Sequence, residues 1–173
     1  MIVGELAAAG IRRGALDEAF RSLDAHAGDV SQPRFLTLID FSRRSTSPRM
    51  HVIDLETGAH ESLLVAHGKG SDPDHDGFAD RFSNVVGSEM SSVGAYRTGE
   101  IYYGENGLSL RLVGLDPSND KAVERAIVMH GADYVSPYRP VLGRSQGCPA
   151  IEPKHVSRVL PMLSGGTFLY IAR

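Results

Sequence analysis

Apolar residues recur at helical spacing in two stretches of this chain, and between them they alternate with polar ones over short runs. Ala15, Leu16, Ala19, Phe20 and Leu23 share one face while Arg13, Asp17, Glu18 and Arg21 lie elsewhere, which predicts an amphipathic helix over 13–26. A second helix is expected from Pro153 to Leu163, because proline suits a first helical turn and Val156, Val159 and Leu160 fall together. Pro161 should bend or weaken its end. The remaining apolar runs are strand-like: 35–41, 50–55, 62–67, 108–115, 126–130 and 167–172. Leu108, Leu110 and Leu112 alternate with Ser109 and Arg111, as half-buried strands do. Thr57-Gly58 marks a hairpin between the second and third runs. Residues 68–107 are rich in Gly, Ser and Asp and read as one long loop region, a length that is uncommon without a function. The fold class is therefore mostly β, of α+β type, with a helical appendage at 1–34 and a main domain at 35–173.

Composition narrows the partners. At 173 residues with 42% apolar content the chain can build one core, and a net charge of −3 argues against polyanionic partners. The longest basic cluster is Arg43-Arg44, so no footprint for nucleic acid is visible. No apolar run approaches the ~20 residues of a membrane span. The Met1–Gly10 stretch contains Glu5 and does not read as a secretory signal. A single cysteine cannot close an internal disulfide, and nothing in the pattern fixes an oligomeric state.

That cysteine, Cys148, is the candidate nucleophile. It does not lie in an apolar run: Ser145-Gln146-Gly147 precedes it and Pro149 follows. A thiol reacts as its thiolate, and a histidine folded against it can take the proton. His130, at the end of the apolar run 126–129, is the candidate base, and the pair should lower the thiol pKa below its ~8.5 reference. Backbone N–H groups near Gly147 and Cys148 would stabilise an oxyanion. Arg139 and Arg144 in the same loop could clamp a substrate carboxylate. His67, leading into Gly68-Lys69-Gly70, is expected in the cleft.

His130-Gly131 followed by Ser145-Gln146-Gly147-Cys148 resembles the signature of the murein L,D-transpeptidase catalytic domains (YkuD-type). In that signature a His-Gly or His-Ser pair precedes Ser-His-Gly-Cys by about fifteen residues; Gln146 stands where most members have a second histidine. HGKGSDP (67–73), RFSN (81–84), SSVGAYRTGE (91–100) and LSLRLVGLDPSN (108–119) extend the resemblance over roughly 35–173. It implies a β-sandwich or barrel with an N-terminal helix and a short helix after the cysteine. It also implies acyl transfer from a peptidoglycan stem peptide through a Cys148 thioester to an amine or water, in the periplasm or cell envelope, without a cofactor. The Gly131 carbonyl would orient His130, with Asp133 as the alternative orienter. Ser145 would hold the loop or touch substrate, Gln146 would support it, and Tyr96 and Arg97 would line the floor.

Two other classes compete. Asp72, Asp74 and Asp76 with Gly77 begin like a Ca²⁺ loop, but position 12 would be Ser83 rather than a bidentate Glu. His67, His75 and Asp74 could mimic the ligands of a zinc peptidase, although their spacing matches no standard site. A catalytically silent peptidoglycan-binding module is the third reading.

Overall fold

Phe35–Asp40, the first strand (β1), shows how the sheet is organised. Leu36 and Leu38 point to one apolar cluster and Ile39 to another, so the strand is buried on both faces. The computed structural model describes residues 2–173. Eight more strands follow: β2 (Met50–Asp54), β3 (His60–Leu63), β4 (Val65–Ala66), β5 (Gly94–Gly104), β6 (Gly107–Gly114), β7 (Val128–Gly131), β8 (Ala150–Ile151) and β9 (Phe168–Ala172). They join in the order β3-β2-β1-β9-β5-β6-β7-β8-β4 and curl into a nearly closed barrel. Two pairings, β1 with β9 and β7 with β8, are parallel.

The barrel interior is filled by Ile39, Val52, Tyr96, Leu110, Met129 and Leu169, with Val159, Leu160 and Leu163 of helix α3 (Pro153–Leu163) closing it. Helices α1 (Ile2–Ala8) and α2 (Arg13–Ala25) lie on the outer face, where Leu6, Leu16 and Ala19 meet Leu36, Leu38, Ile53 and Phe168. The 1–34 segment, expected as an appendage, thus shares a core built from both sides of residue 34. Each fully buried leucine there stabilises by roughly 1.5–3 kcal/mol. Arg12 reinforces the seam with a two-pronged pair to Asp40 at 2.9 and 3.1 Å.

Helix 13–25 and helix 153–163 follow the apolar spacing to within a residue. The expected hairpin forms at Gly58, whose φ of 77° suits glycine and whose strands are drawn together by the Asp54 carboxylate accepting from the Glu56 and Thr57 N–H groups. One expectation is corrected: within the supposed loop 68–107, residues 94–104 form an eleven-residue strand in the middle of the sheet. Gly94, Gly99 and Gly104 mask it in sequence, yet a Cβ at Gly94 would meet the Asp116 carboxylate at 2.6 Å. The run 62–67 is split into β3 and β4, and Ala126 leaves the 126–130 run with φ 53°.

Among the described residues, Thr37 Oγ1 is the buried side-chain polar atom without a hydrogen-bond partner. Thr37→Val keeps the shape and removes the orphan, so urea unfolding should show a gain of about 1 kcal/mol. A loss of stability would show that the hydroxyl is satisfied in solution.

Candidate active site

Two strand ends and one loop bring the candidate residues together. β7 ends in His130-Gly131, and its parallel partner β8 begins two residues after Cys148, with His130 in register with Ala150. Both His130 and Cys148 line a cleft of about 820 Å³. Arg125, Arg144, Ser145, Gln146 and Tyr134 line it as well. The β5–β6 hairpin contributes Tyr102, Glu105 and Asn106 to its lining.

His130 is oriented by its own neighbour. Its Nδ1 lies 2.9 Å from the Gly131 carbonyl oxygen, so Nδ1 carries a proton and donates it, and in the neutral ring Nε2 keeps a lone pair. Gly131 in turn sits against α3, where a Cβ would meet Val156 at 2.6 Å. Asp133 takes no part in this bond.

The Cys148 Sγ receives the Val128 N–H at 3.4 Å and lies 3.7 Å from the Ala126 carbonyl. No hydrogen bond joins it to His130 in this geometry. Burial pushes the thiol pKa up, and the Val128 N–H and the Arg125 charge oppose that without reversing it. The expectation of a lowered thiol pKa is therefore corrected for this geometry: desolvation outweighs the donors, and the proton sits toward Ala126.

The loop before the cysteine is held from both sides. Ser145 Oγ donates to the Cys148 carbonyl at 2.6 Å and accepts from the Gly147 N–H at 3.1 Å. The Ser145 N–H and carbonyl bond to the His67 carbonyl and the Lys69 N–H at 3.0 and 2.7 Å. Gly147 is required by two facts: its φ is 122°, and a Cβ would approach the Met90 carbonyl to 2.8 Å. Because Ser145 occupies the Gly147 N–H, the free backbone donors facing this loop are those of Gln146 and Cys148.

Several expected contacts lie elsewhere. Tyr96 is fully buried and donates its hydroxyl to the Ser92 carbonyl at 2.8 Å, so it supports the floor from beneath and touches no cleft. His67 is likewise inside: its Nδ1 accepts from Arg49 at 2.8 Å and its Nε2 donates to Asp72 at 3.0 Å. Arg139 is exposed and is not among the residues lining the cleft, whereas Arg144 lines it and donates to the Asp72 carbonyl. The zinc-peptidase ligand set does not assemble. Burial, then Arg49, push His67 down to about 4, and its Nδ1 faces a guanidinium; His75 spends its Nε2 on the Leu142 carbonyl at 2.7 Å. Asp72 uses its carboxylate on His67 and on the Asp76 and Gly77 N–H groups, which shapes the turn.

Arg125 was missed by sequence reasoning. It follows the exposed Glu124 in a stretch without periodicity, and its four acceptors come from residues 83–92, more than thirty positions away.

The family described as L,D-transpeptidase catalytic domain matches residues 7–172. Among solved structures, an L,D-transpeptidase from Mycobacterium tuberculosis H37Rv is 12% identical with a TM-score of 0.54, over 82% of this chain and 58% of that one. L,D-transpeptidase 3 from Mycobacterium tuberculosis, in complex with a faropenem-derived adduct, is 11% identical with a TM-score of 0.54, over 82% and 61%. The helical cell shape determining protein Pgp2 from Campylobacter jejuni is 14% identical with a TM-score of 0.52, over 93% and 56%. The chain thus spans about three fifths of the length of these structures. No curated protein matches it in sequence.

Proposed function

The chain belongs to the L,D-transpeptidase catalytic domain family, and from that premise we propose that it is a cell-wall acyl-transfer enzyme working through Cys148. The observation that carries the reading is the placement of His130 and Cys148 on one cleft, with Nδ1 of the imidazole committed to the Gly131 carbonyl. A ring held that way presents Nε2 as the base, a role that needs no carboxylate.

The reaction then runs in two halves. His130 takes the thiol proton as substrate fills the cleft, and the thiolate attacks an amide carbonyl of a peptidoglycan stem peptide. The N–H groups of Gln146 and Cys148 are the donors available to the oxyanion. The C–N bond breaks, the leaving amine takes the proton from His130, and a thioester remains on Cys148. An acceptor amine, or water, attacks it, gives its proton to His130, and restores the thiol. Arg144 reaches the cleft with its charge unpaired by any carboxylate among the described residues and is the group to hold a substrate carboxylate. Cell-envelope placement follows from the substrate class.

Intact-protein mass after incubation with a carbapenem tests this, since a strained β-lactam acylates an activated thiol without needing the stem peptide. The wild-type protein should gain one adduct and Cys148→Ala none, with both folded. Absence of an adduct on a folded wild type would leave a wall-binding module as the reading.

A further inference from the structure

We propose that Arg125 is the positioning residue that sets the ionisation of Cys148, its guanidinium serving as the fixed counter-charge to the thiolate. The inference rests on the reading of Cys148 as nucleophile. Nη1 donates to the Ser83 carbonyl at 2.8 Å and Ser92 Oγ at 2.6 Å; Nη2 donates to the Met90 carbonyl at 2.6 Å and Ser88 Oγ at 3.2 Å. All four acceptors are neutral. No carboxylate pairs with Arg125 among the described residues, although Asp40, Asp54 and Glu61 each hold an arginine elsewhere. A half-buried cation without a counter-ion is costly unless an anion forms nearby.

A group beside it able to supply one is the thiol. A Cβ on Gly147, the residue before Cys148, would lie 3.2 Å from Arg125 Nη2. The Ala126 carbonyl, one residue after Arg125, lies 3.7 Å from Sγ. Burial lowers the Arg125 pKa, and the charges that pull it back up are those of Tyr96 and Cys148. Tyr96 is pushed up by burial and stays neutral, which leaves Cys148 as the partner. The other charged or titratable groups lining the cleft are His130 on β7, Tyr134 beyond it, Arg144 in the cysteine's own loop, Glu89 and Glu124, and Tyr102 and Glu105 of the β5–β6 hairpin. The same four bonds fasten the guanidinium to residues 83–92, and Ser91 Oγ of that segment donates to the Gly147 carbonyl of the cysteine loop at 3.4 Å. The charge is therefore held rigidly and requires little rearrangement when the thiolate forms.

The test is the pH dependence of iodoacetamide alkylation at Cys148, with Cys148→Ala as the blank and circular dichroism to establish folding. Arg125→Met should move the midpoint upward by about one pH unit, slowing alkylation at a pH below the midpoint roughly tenfold. Arg125→Lys keeps the charge and should stay within about 0.3 unit of wild type, a rescue that a purely structural role would not require. A folded Arg125→Met with an unmoved midpoint overturns the proposal. If Arg125→Met does not fold, Arg125→Lys decides: a wild-type midpoint supports the proposal, and an upward shift or loss of the fold in this variant too overturns it. Because alkylation needs no acyl donor, an unreactive β-lactam and an unmoved midpoint are separable failures.

Discussion

His130→Ala is expected to slow acylation of Cys148 by roughly 10²- to 10⁴-fold, the usual contribution of a positioned base. The ring is nearly buried but lies at the mouth of β7, so its removal should cost only about 1–2 kcal/mol of stability and leave a folded protein. Gln146→His, one loop position before Gly147, should change the same rate by no more than a few fold, because that side chain is exposed and has no hydrogen bond among the described residues. Single-turnover mass kinetics at fixed β-lactam would compare the three proteins. Near-native acylation in a folded His130→Ala would remove His130 from the chemistry. The thiol would then have to lose its proton by another route, and the parked geometry at Ala126 offers none. On the proposed mechanism, a resting thiol held up by burial and bonded toward the Ala126 carbonyl would need the base at the moment of attack rather than to maintain a standing ion pair.

Local pattern reveals an element where one face is apolar and the spacing is regular, which is why α2 and α3 are legible to within a residue. β5 has a different logic. Ala95, Tyr96 and Thr98 are buried only because β6 and β9 flank them, while its last residues stand in solvent, so neither period nor composition announces a strand. The same blindness misplaced Tyr96 and His67. Both come from motif-like stretches beside the cleft, but which side a residue faces is set by strand parity and by Arg49 and Asp72, partners fixed only in the folded chain. That Cys148, His130 and Ser145 share one cleft was legible because a single loop joins them. Arg125 was not, because its role is defined by residues 83–92 folding back over it.

The buried histidines make a pH-dependence that can be signed. His67 and His51 are each pushed down to about 4, in both cases chiefly by burial, from an ordinary value of 6.5. His67 must be neutral to accept from Arg49 while donating to Asp72, and His51 meets Ser62 Oγ at 2.7 Å. The unfolded chain protonates these rings as pH falls through 6.5 and the folded chain does not until about 4, so the unfolded state binds more protons between those limits. Their stabilisation is complete above pH 6.5 and is lost progressively on the way down to 4, on the order of 3 kcal/mol for each ring. Asp40 and Asp72 act in a lower window. Burial works to raise both, but Arg12 and Ser42 on one, and His67 and two N–H groups on the other, hold them below the ordinary 3.8, so their loss begins only under that pH. Urea unfolding at pH 7.0, 5.5 and 4.5 (about one and two steps down this window) should therefore show falling stability before Asp40 and Asp72 titrate. His51→Gln should flatten roughly half of the slope. The remaining share has a functional edge, because the His67 carbonyl holds the Ser145 N–H and the Asp72 carbonyl holds Arg144, so protonating His67 loosens the backing of the cysteine loop. Acylation should then fall across the same window in the His51→Gln protein. A stability that stays level from pH 7.0 to 4.5 (about the whole window) would mean that the rings are hydrated and protonate freely in the folded state.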